Sequence, residues 1–387
     1  MSVPLLIVAG EVSGDLHAAA MLRALRRRRP DIAAWGIGGN ALRSAGMDLV
    51  RHVREMETIG LTDALRRLPH FFRVYAELVR RLDAHPPAAA VLVDFPGFNL
   101  RLARALRARG IPVIYYICPQ IWAWRHSRIR TIARNVRRLL VIFPFETDLF
   151  QGRSLRVEFV GHPLADAIAE EMKEPAPPLP WAGEPRLAVL PGSRRQEIAR
   201  ILPPLLGAAA RVEKERPGAS FLLAVSDEEA AGWVRGGLAT AGERPRKIEI
   251  VAGRTRQVLR EARAAWVASG TATLEAAMLG CPMIVVYRTS PLTYGAARAV
   301  VRVRHIGLVN LVAGRPVCPE LLQGAARPAM LARAIAPLLD DTPERRAMSE
   351  GLADVAAALG GAGAAERAAA AVAEELRSAA GPLGARA

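Results

Sequence analysis

The stretch AAWVASGTATLEAAMLGCPMIVVY, from Ala264 to Tyr287, places a polar turn and an alanine-rich run between two apolar runs. The first apolar run ends at Ala268, and the turn SGT follows it directly. The alanine-rich run has helical character, and the second apolar run, Pro282 to Tyr287, is again strand-like. Two short apolar strands joined by a helix predict neighbouring parallel strands in a sheet that helices cover on both faces.

Strand-like and helix-like runs alternate in this way along most of the chain. The other strand-like runs are PLLIVA, AAAVLVDF, IPVIYYI and RRLLVIF in the first half, and RLAVLP, SFLLAVS and KIEIVAG in the second. The sequence therefore predicts an α/β protein with two Rossmann-like domains. Ligands of such sheets bind beyond the carboxyl ends of the strands, so we expect the two parallel sheets to face a central cleft.

A proline-rich segment, KEPAPPLPWAGEP, interrupts the alternation and has the composition of a linker. It sets the predicted boundaries: an N-terminal Rossmann-like domain over 1–172, the linker over 173–185 and a C-terminal Rossmann-like domain over 186–350. Residues 351–387 are alanine-rich and helical, and we expect a tail that packs back on the N-terminal domain or on that of a partner.

Composition and charge limit the class of protein. The 387 residues are 51% hydrophobic with a formal net charge of +16, which suits a globular protein that binds nucleic acid, an anionic membrane or phosphorylated substrates. A codon bias towards arginine would give part of that charge without any function. We expect no spanning helix and no signal peptide. Cys118, Cys281 and Cys318 lack metal or disulfide spacing, as in a reducing cytoplasm.

Two turns in the second half have the composition of anion sites. Each follows a strand and opens a helix, where free backbone N–H groups attract negative charge, and Ser193 is the expected N-cap of the first helix. Two such turns suit a diphosphate, and Glu275, one turn into the second helix, could accept hydrogen bonds from a ribose diol. The alternative is that both are plain capping turns. The residues concerned are Gly192, Ser193, Arg194, Ser269, Gly270, Thr271 and Glu275.

Polar residues in the first half indicate the other side of a reaction. Asp94 follows a buried strand in VDFPGFN, where a carboxylate facing a cleft can act as a general base; the alternative is a cap for the next helix. Trp122 can line a sugar or lipid site or belong to the core. The candidates on this side, from AGEVSGDLHAA, VDFPGFN and ICPQIWAWR, are Glu11, Ser13, Asp15, Asn99, Gln120 and Trp122.

Nine motifs occur in the order seen in bacterial lipid-A-disaccharide synthases, from Val8 to about Gln323. They are VAGEVSGDLHAA, GIGG, DFPGFNLRLA, CPQIWAWR, FPFE, VGHPLAD, LPGSRRQEI, ASGTATLEAAMLGCPMIVVYR and LVNLVAGRPVCPELLQ. The chain thus resembles glycosyltransferase family 19, which has the GT-B fold. The resemblance implies inverting transfer from UDP-2,3-diacylglucosamine to 2,3-diacylglucosamine 1-phosphate (lipid X), giving the β-1,6 lipid A disaccharide 1-phosphate and UDP.

The resemblance also assigns roles. It implies that Asp94 is the essential acid, that Arg194 and the segment from Ser269 to Glu275 face the UDP-sugar, and that Asn310 and Gln323 belong to the same site. Gly97 stands where some members of the family carry a second acid, which leaves Asp94 as the single candidate base. No D-x-D pair stands at a strand end, so we expect neither a metal nor another cofactor.

The helix-like stretch LRRLPHFFRVYAELVRRL, from Leu65 to Leu82, carries an apolar face with a basic rim. It is either a core helix or a dock for an anionic membrane. With such a dock, the protein would be cytoplasmic and would associate peripherally with the inner membrane of a Gram-negative cell. We expect no nucleic-acid partner, and a homo-oligomer is possible. Pro69 is expected in the first turn of the helix. The membrane residues proposed are Arg66, Arg67, Phe71, Phe72 and Arg73.

Two other functions fit the same pattern. A UDP-sugar 2-epimerase would share the fold and the nucleotide turns but would need further acids in the N-terminal domain. A non-catalytic polyanion binder would use the positive charge, and an RNA binder would need exposed aromatic residues among basic ones on a sheet face.

Overall fold

The computed structural model describes residues 2–56, 61–124, 127–173, 175–291, 294–295 and 305–380. The side chains of 61–68, 123–124, 127 and 379–380 are outside that description. The chain forms two compact units, the first made of Met1–Asp166 with Gly360–Ala387 and the second of Ala167–Leu359. Each unit is built on one parallel sheet, as the alternation of apolar strands and amphipathic helices predicts.

Seven parallel strands form the sheet of the first unit, in the order β3-β2-β1-β4-β5-β6-β7. They are β1 Val3–Ala9, β2 Ile32–Gly38, β3 Asp48–His52, β4 Ala89–Val93, β5 Val113–Tyr116, β6 Arg138–Val141 and β7 Arg156–Phe159. Its helices are α1 Val12–Arg28, α2 Asn40–Ser44, α3 Leu61–Ala84, α4 Pro96–Ala108, α5 Ile121–Trp124 and α6 Ser127–Asn135. Helix α7, Pro163–Glu171, carries the chain from this unit into the second.

Six parallel strands form the sheet of the second unit, in the order β10-β9-β8-β11-β12-β13. They are β8 Arg186–Leu190, β9 Ser220–Val225, β10 Ile248–Ala252, β11 Ala264–Ala268, β12 Met283–Tyr287 and β13 Glu320–Leu322. Its helices are α8 Arg195–Glu215, α9 Glu228–Thr240, α10 Thr255–Glu261, α11 Ala272–Met278, α12 Leu308–Ala313, α13 Pro328–Ile335 and α14 Pro343–Ala358. The strand–turn–helix–strand interpretation of Ala264–Tyr287 is confirmed as β11, α11 and β12.

The last helix, α15 Ala364–Ala380, belongs to the first unit and packs against α1. Asp166 accepts the N–H groups of Gly363, Ala364 and Ala365 at the start of α15. The buried Arg138 side chain of β6 bonds Glu374 of α15 at 2.8 Å. Because α14 lies wholly in the second unit, the units differ from the predicted ranges: the chain returns to the first unit at Gly360, not at 351.

The proline-rich segment packs against the second unit and is held there by hydrogen bonds. The carbonyl of Pro177 accepts a hydrogen bond from Gln257 at 2.9 Å. The Trp181 indole N–H donates to Glu261 at 2.9 Å. Both partners lie on α10, so the second unit begins before residue 186, the predicted start of the C-terminal domain.

Helix α3 is mainly a core helix over its described side chains. Val74, Leu78 and Leu82 are buried, and Phe71 and Tyr75 pack against the same core. Pro69 lies inside the helix and not in its first turn, which corrects the prediction, because the helix already begins at Leu61. Phe72 lies outside this buried stripe and is exposed.

Candidate active site

The first unit's strand order reverses direction between β1 and β4, the point at which ligands of open parallel sheets bind. The turns after these two strands touch. A Cβ on Gly10 would lie 2.3 Å from the Phe95 ring, so only glycine allows this approach. The neighbouring residues of the two turns, Glu11 and Asp94, are thereby brought close enough to interact electrostatically.

Asp94 is held in a conformation that few non-glycine residues adopt. Asp94 and Phe95 have φ angles of 41° and 48°, a strained arrangement that persists only where neighbouring groups fix it. The Asp94 carbonyl accepts hydrogen bonds from the Asn99 amide at 2.8 Å and from the Tyr115 hydroxyl at 2.5 Å. These two bonds fix the backbone while the carboxyl remains partly exposed at the edge of the sheet.

Burial raises the pKa of Asp94 to about 7, and the negative charge of Glu11 contributes to the rise. The Phe95 N–H and the Arg128 guanidinium act in the opposite direction but do not cancel it. A carboxyl with a pKa near neutrality can both accept a proton and release it at the pH of a cell, which suits a general base.

Other predicted residues of this side divide into exposed and structural ones. Glu11, Ser13 and Gln120 are exposed, and Trp122 is half-buried. The Asp15 carboxylate is instead buried as a cap for α2, where it accepts N–H groups of Gly39, Ala41 and Leu42 at 2.6, 3.0 and 3.1 Å. This corrects the prediction of an acceptor contact for Asp15.

Asn99 also has a structural role. Its side chain is fully buried, and its amide N–H groups reach the carbonyls of Val93 and Asp94 at 3.2 and 2.8 Å. Asn99, predicted on the acceptor side, therefore acts on this site by fixing the backbone of Asp94.

Sequence reasoning missed the acid of FPFE. Glu146 is fully buried beyond the end of β6, and burial raises its pKa to about 8. The signal was available, since an acid enclosed by aromatic residues and proline directly after a buried strand has little access to water.

An apolar cavity of about 270 Å³ lies between α3 and α4, against Phe95, the residue that follows Asp94. Phe72 is half exposed at its mouth, with the Arg101 guanidinium 5.2 Å from the ring centre. Of the proposed membrane residues, Phe72 and Arg73 are exposed and Phe71 is half-buried, whereas the side chains of Arg66 and Arg67 lie outside the described residues. The cavity is lined by Phe71, Phe72, Tyr75, Phe95, Gly97, Phe98 and Arg101.

The second unit has its own reversal of strand order, between β8 and β11. The two predicted anion turns flank it. Gly192, which follows β8, has a φ of 110°, and a Cβ there would lie 3.7 Å from the Ala268 Cβ at the end of β11. The turns therefore lie side by side at one edge of the sheet, as two sites for one diphosphate require.

Arg194 and not Ser193 is the N-cap of α8, which corrects the predicted cap. Its guanidinium is largely exposed and lies 3.3 Å from Glu197 one turn further along the helix. An exposed pair of this kind is weak, so the arginine can turn towards a ligand at little cost.

Glu275 lies behind the SGT turn on α11 and is held by an arginine that sequence reasoning missed. Arg256 donates to the Glu275 carboxylate at 2.9 Å and to Glu171 at 2.7 Å. The pair is largely buried, with 26% of the Arg256 side chain and 17% of the Glu275 side chain exposed. Arg256 thus fixes the orientation of the acid, and nothing in the local sequence around Glu275 reveals this partner.

The last two predicted residues of this site serve the backbone. Asn310 is fully buried and bonds the N–H groups of Val317 and Cys318 at 2.8 and 2.9 Å. Its amide N–H groups bond the Cys318 carbonyl and Glu320. Because every polar atom of its side chain is engaged, the prediction of direct contact between Asn310 and the UDP-sugar is corrected to a structural role.

Gln323 is less enclosed than Asn310. It has a φ of 48° and exchanges hydrogen bonds with the backbone of Thr289, at 2.8 and 3.2 Å. It remains partly exposed at the end of β13.

Within the described ranges, no group of three His, Cys, Asp or Glu residues could hold a metal ion. No helix of those ranges is long and apolar enough to cross a membrane.

The sequence model of the lipid-A-disaccharide synthetase family matches residues 5–374. The chain belongs to this family. A lipid-A-disaccharide synthase of Anaeromyxobacter sp. (strain K) is 43% identical over 375 residues, which cover 96% of each chain. That of Syntrophus aciditrophicus is 42% identical over 94% of this chain and 95% of its own. The resemblance inferred from the nine motifs is confirmed, and the chain is a glycosyltransferase of lipid A biosynthesis.

Solved structures confirm the fold class. The glycosyltransferase of kitacinnamycin matches with a TM-score of 0.64 and 17% identity, over 97% of this chain and 99% of its own. A UDP-GlcNAc 2-epimerase from Neisseria meningitidis matches with a TM-score of 0.62 and 12% identity, over 98% and 100%. At such identities a likeness carries the fold alone. The family match therefore decides against the epimerase and the polyanion binder.

Proposed function

We propose that this protein joins UDP-2,3-diacylglucosamine to 2,3-diacylglucosamine 1-phosphate by one inverting displacement. The 6-hydroxyl of the acceptor attacks the anomeric carbon of the donor as the bond to UDP breaks. The products are the β-1,6-linked lipid A disaccharide 1-phosphate and UDP, and the hydroxyl proton leaves as the new bond forms.

The position and pKa of Asp94 are the observation that carries this proposal. A sugar hydroxyl is a poor nucleophile, and a base that removes its proton in the transition state accelerates the attack. Asp94 lies at the strand reversal of the first unit with a pKa of about 7, so a large share of the molecules carries the base form at neutral pH. The hydrogen bonds from Asn99 and Tyr115 to its carbonyl orient the carboxyl for that task.

The two turns of the second unit would bind the donor. As UDP departs, negative charge grows on the diphosphate, and groups already aimed at that position lower the barrier. The Gly192–Arg194 turn opens the long helix α8, whose N-terminus favours an anion. The Ser269–Thr271 turn lies beside it. Glu275, oriented by Arg256, would accept hydrogen bonds from both hydroxyls of the ribose.

The apolar cavity against Phe95 is the place that we propose for an acyl chain of the acceptor. A cavity with aromatic walls and one arginine at its mouth suits a chain whose headgroup carries a phosphate. We place one acyl chain there, with Gly97 as an open part of the wall, since no described atom lies within 4 Å of a Cβ at that position.

Both substrates carry acyl chains, so the enzyme has to reach them at a bilayer. Exposed Phe72 with Arg101 beside its ring, together with exposed Arg73, would give a small aromatic and basic contact for anionic lipid. We propose that the protein acts at the cytoplasmic face of the inner membrane as a peripheral enzyme.

Product analysis tests the reaction. The enzyme is incubated with UDP-diacylglucosamine, with and without the acceptor. The products are identified by mass spectrometry and by nuclear magnetic resonance. The proposal requires UDP and a β-linked disaccharide that form only with acceptor. An α linkage would contradict the single displacement, and turnover of the donor without acceptor would contradict transfer as the main reaction.

A further inference from the structure

The acid of the FPFE motif makes hydrogen bonds with only one of its two oxygens. Glu146 is the last residue of the short 3₁₀ helix Pro144–Glu146, which follows β6. Its Oε2 accepts the N–H groups of Ile142 and Phe143 at 3.3 and 3.1 Å. Its Oε1 is buried, and no residue in the described part of the chain hydrogen-bonds it. Buried polar atoms are nearly always paired, so an unpaired one requires an explanation.

Trp122 on α5 has the complementary deficiency. Its indole Nε1 is buried and, again within the described residues, has no hydrogen-bond acceptor. The indole nevertheless lowers the pKa of Glu146 by offering its N–H, so the two groups lie within reach of each other. An edge-to-face contact with Phe145, 5.6 Å between ring centres, keeps the indole beside the turn that carries Glu146.

The surroundings of Glu146 set its charge. Burial raises its pKa to about 8, the N–H groups of Phe143, Ile142 and Trp122 oppose that rise, and Asp94 at the end of β4 adds to it. The Cys118 thiol after β5 also faces Glu146, and burial raises the pKa of that thiol well above its usual range.

Two more titratable or charged groups stand nearby. His162, after β7, lies 5.2 Å from the Phe143 ring, and burial lowers its pKa to about 4, so it is neutral at pH 7. Arg128 on α6 acts on Asp94 and so affects Glu146 indirectly. The carboxyl therefore titrates in the weakly alkaline range, and the charge of Asp94 contributes to its raised pKa.

We propose that Glu146 is a positioning residue of the acceptor site: its ionised Oε1 accepts the Trp122 indole N–H and holds the indole as a wall for the acceptor sugar. The inference rests on the proposed function, because it takes the first unit as the acceptor side. Glutamine cannot replace the acid, since an amide has one acceptor oxygen, whereas two backbone N–H groups and the indole N–H need acceptors on both atoms.

The contact itself is tested without substrate. Protein labelled with ¹⁵N-tryptophan gives one indole N–H resonance per tryptophan, and the signal of Trp122 is the one missing from Trp122→Phe. This signal should move downfield as Glu146 ionises, with a midpoint at a pH of about 8, and should lose that titration in Glu146→Gln. A Trp122 signal that does not titrate, or one that titrates equally in Glu146→Gln, overturns the proposal.

Kinetics test the consequence for the acceptor. At about pH 9, where Glu146 is mostly ionised, Glu146→Gln and Trp122→Phe should each raise the KM for the acceptor roughly fivefold to tenfold, the effect of one buried hydrogen bond, and leave the donor KM unchanged. The double variant should be no worse than either single one, because both remove the same bond. Additive losses, or an unchanged acceptor KM, overturn the proposal.

The two levels of inference fail differently. If the wild-type enzyme forms no disaccharide, the proposed function is wrong, while the indole spectrum still decides whether Glu146 binds Trp122. If Glu146→Gln does not fold, Trp122→Phe alone carries the kinetic test, since it keeps an aromatic ring but has no N–H to donate. An acceptor KM equal to that of the wild type in Trp122→Phe then overturns the proposal.

Discussion

At the scale of the residue, the raised pKa of Asp94 has a consequence for stability. The folded protein keeps a proton on this carboxyl up to about pH 7, whereas the unfolded chain releases it near the usual value of 3.8. Stability due to Asp94 is therefore complete below pH 3.8 and is lost as the pH rises to 7. We expect Asp94→Asn to unfold at an equal or higher temperature than the wild type at pH 8, and to lose this advantage at pH 4.

Thermal unfolding followed by circular dichroism at both pH values checks this expectation. A variant several degrees less stable at pH 8 would mean that the carboxylate acts as a structural cap, the alternative that the sequence left open. Glu11 is the matched control, because it is exposed in the neighbouring turn and its replacement by Gln should lower the pKa of Asp94 without removing the base.

Glu275 allows a second test at this scale. If its carboxylate binds the ribose, Glu275→Gln should weaken UDP binding roughly tenfold or more, as expected for a hydrogen bond to a charged group. Binding of pyrophosphate, which lacks the ribose, should hardly change. Calorimetry with both ligands measures the difference, and equal losses for the two would place Glu275 elsewhere.

Glu171→Gln is the control for this variant. Glu171 pairs with the same Arg256, at 2.7 Å, but lies on α7 and not at the anion turns. Its loss should leave UDP affinity near that of the wild type. A loss as large as that of Glu275→Gln would show that the network as a whole, and not the ribose contact, governs binding.

The residues also show where a sequence cannot predict a site. Asp15, Asn99 and Asn310 occur in the expected motifs, yet their polar atoms bond backbone groups of other elements. Motif position indicates that a polar group is needed but not which partner it has. Arg256 was missed because its contact with Glu275 is set by tertiary packing. Glu146 was missed although its motif was noted, because its burial among aromatic residues was not weighed.

At the scale of the element, α3 and α4 provide the membrane prediction. Phe72 is 52% exposed, whereas Phe71 packs against the core of the first unit. Phe72→Ser should weaken co-sedimentation with anionic vesicles while the unfolding temperature stays the same. Binding to vesicles of the wild type should fall with added salt, because charge attraction is screened.

Phe71→Ser is the matched control, since it changes the neighbouring ring of the same helix. It should lower the unfolding temperature, because it exposes a gap in packed apolar surface. If Phe72→Ser binds vesicles as well as the wild type does, the ring belongs to the cavity and not to a membrane contact. Salt-insensitive binding would likewise contradict an anionic dock.

The start of α15 supplies a prediction about the fold. Asp166 caps this helix from a distant part of the chain, so Asp166→Ala should cost about 1–2 kcal/mol of unfolding free energy. Hydrogen exchange followed by mass spectrometry should show faster exchange in α15. Asp227→Ala is the matched control, because Asp227 caps α9 of the second unit at 2.9 Å from the Ala230 N–H. Unchanged exchange in α15 would contradict its anchoring by Asp166.

At the scale of the whole molecule, the class of fold was accessible from the sequence because buried parallel strands are nearly continuous apolar runs. Strands β4 and β11, for example, are buried along their whole length and read as AAVLV and AAWVA. The unit boundaries were less accessible. The return of α15 to the first unit depends on contacts of Glu374 and Asp166 with residues more than a hundred positions away, which no local pattern reveals.

The most direct test of the central claim is the rate of disaccharide formation by Asp94→Asn at about pH 8, where the wild-type base is mostly ionised. Asparagine keeps the size of the side chain but cannot accept the proton. We predict a loss of turnover of roughly 10²–10⁴-fold, with UDP affinity near that of the wild type by calorimetry. Turnover close to the wild-type rate in a folded variant that binds UDP would contradict Asp94 as the base and, with it, the proposed mechanism.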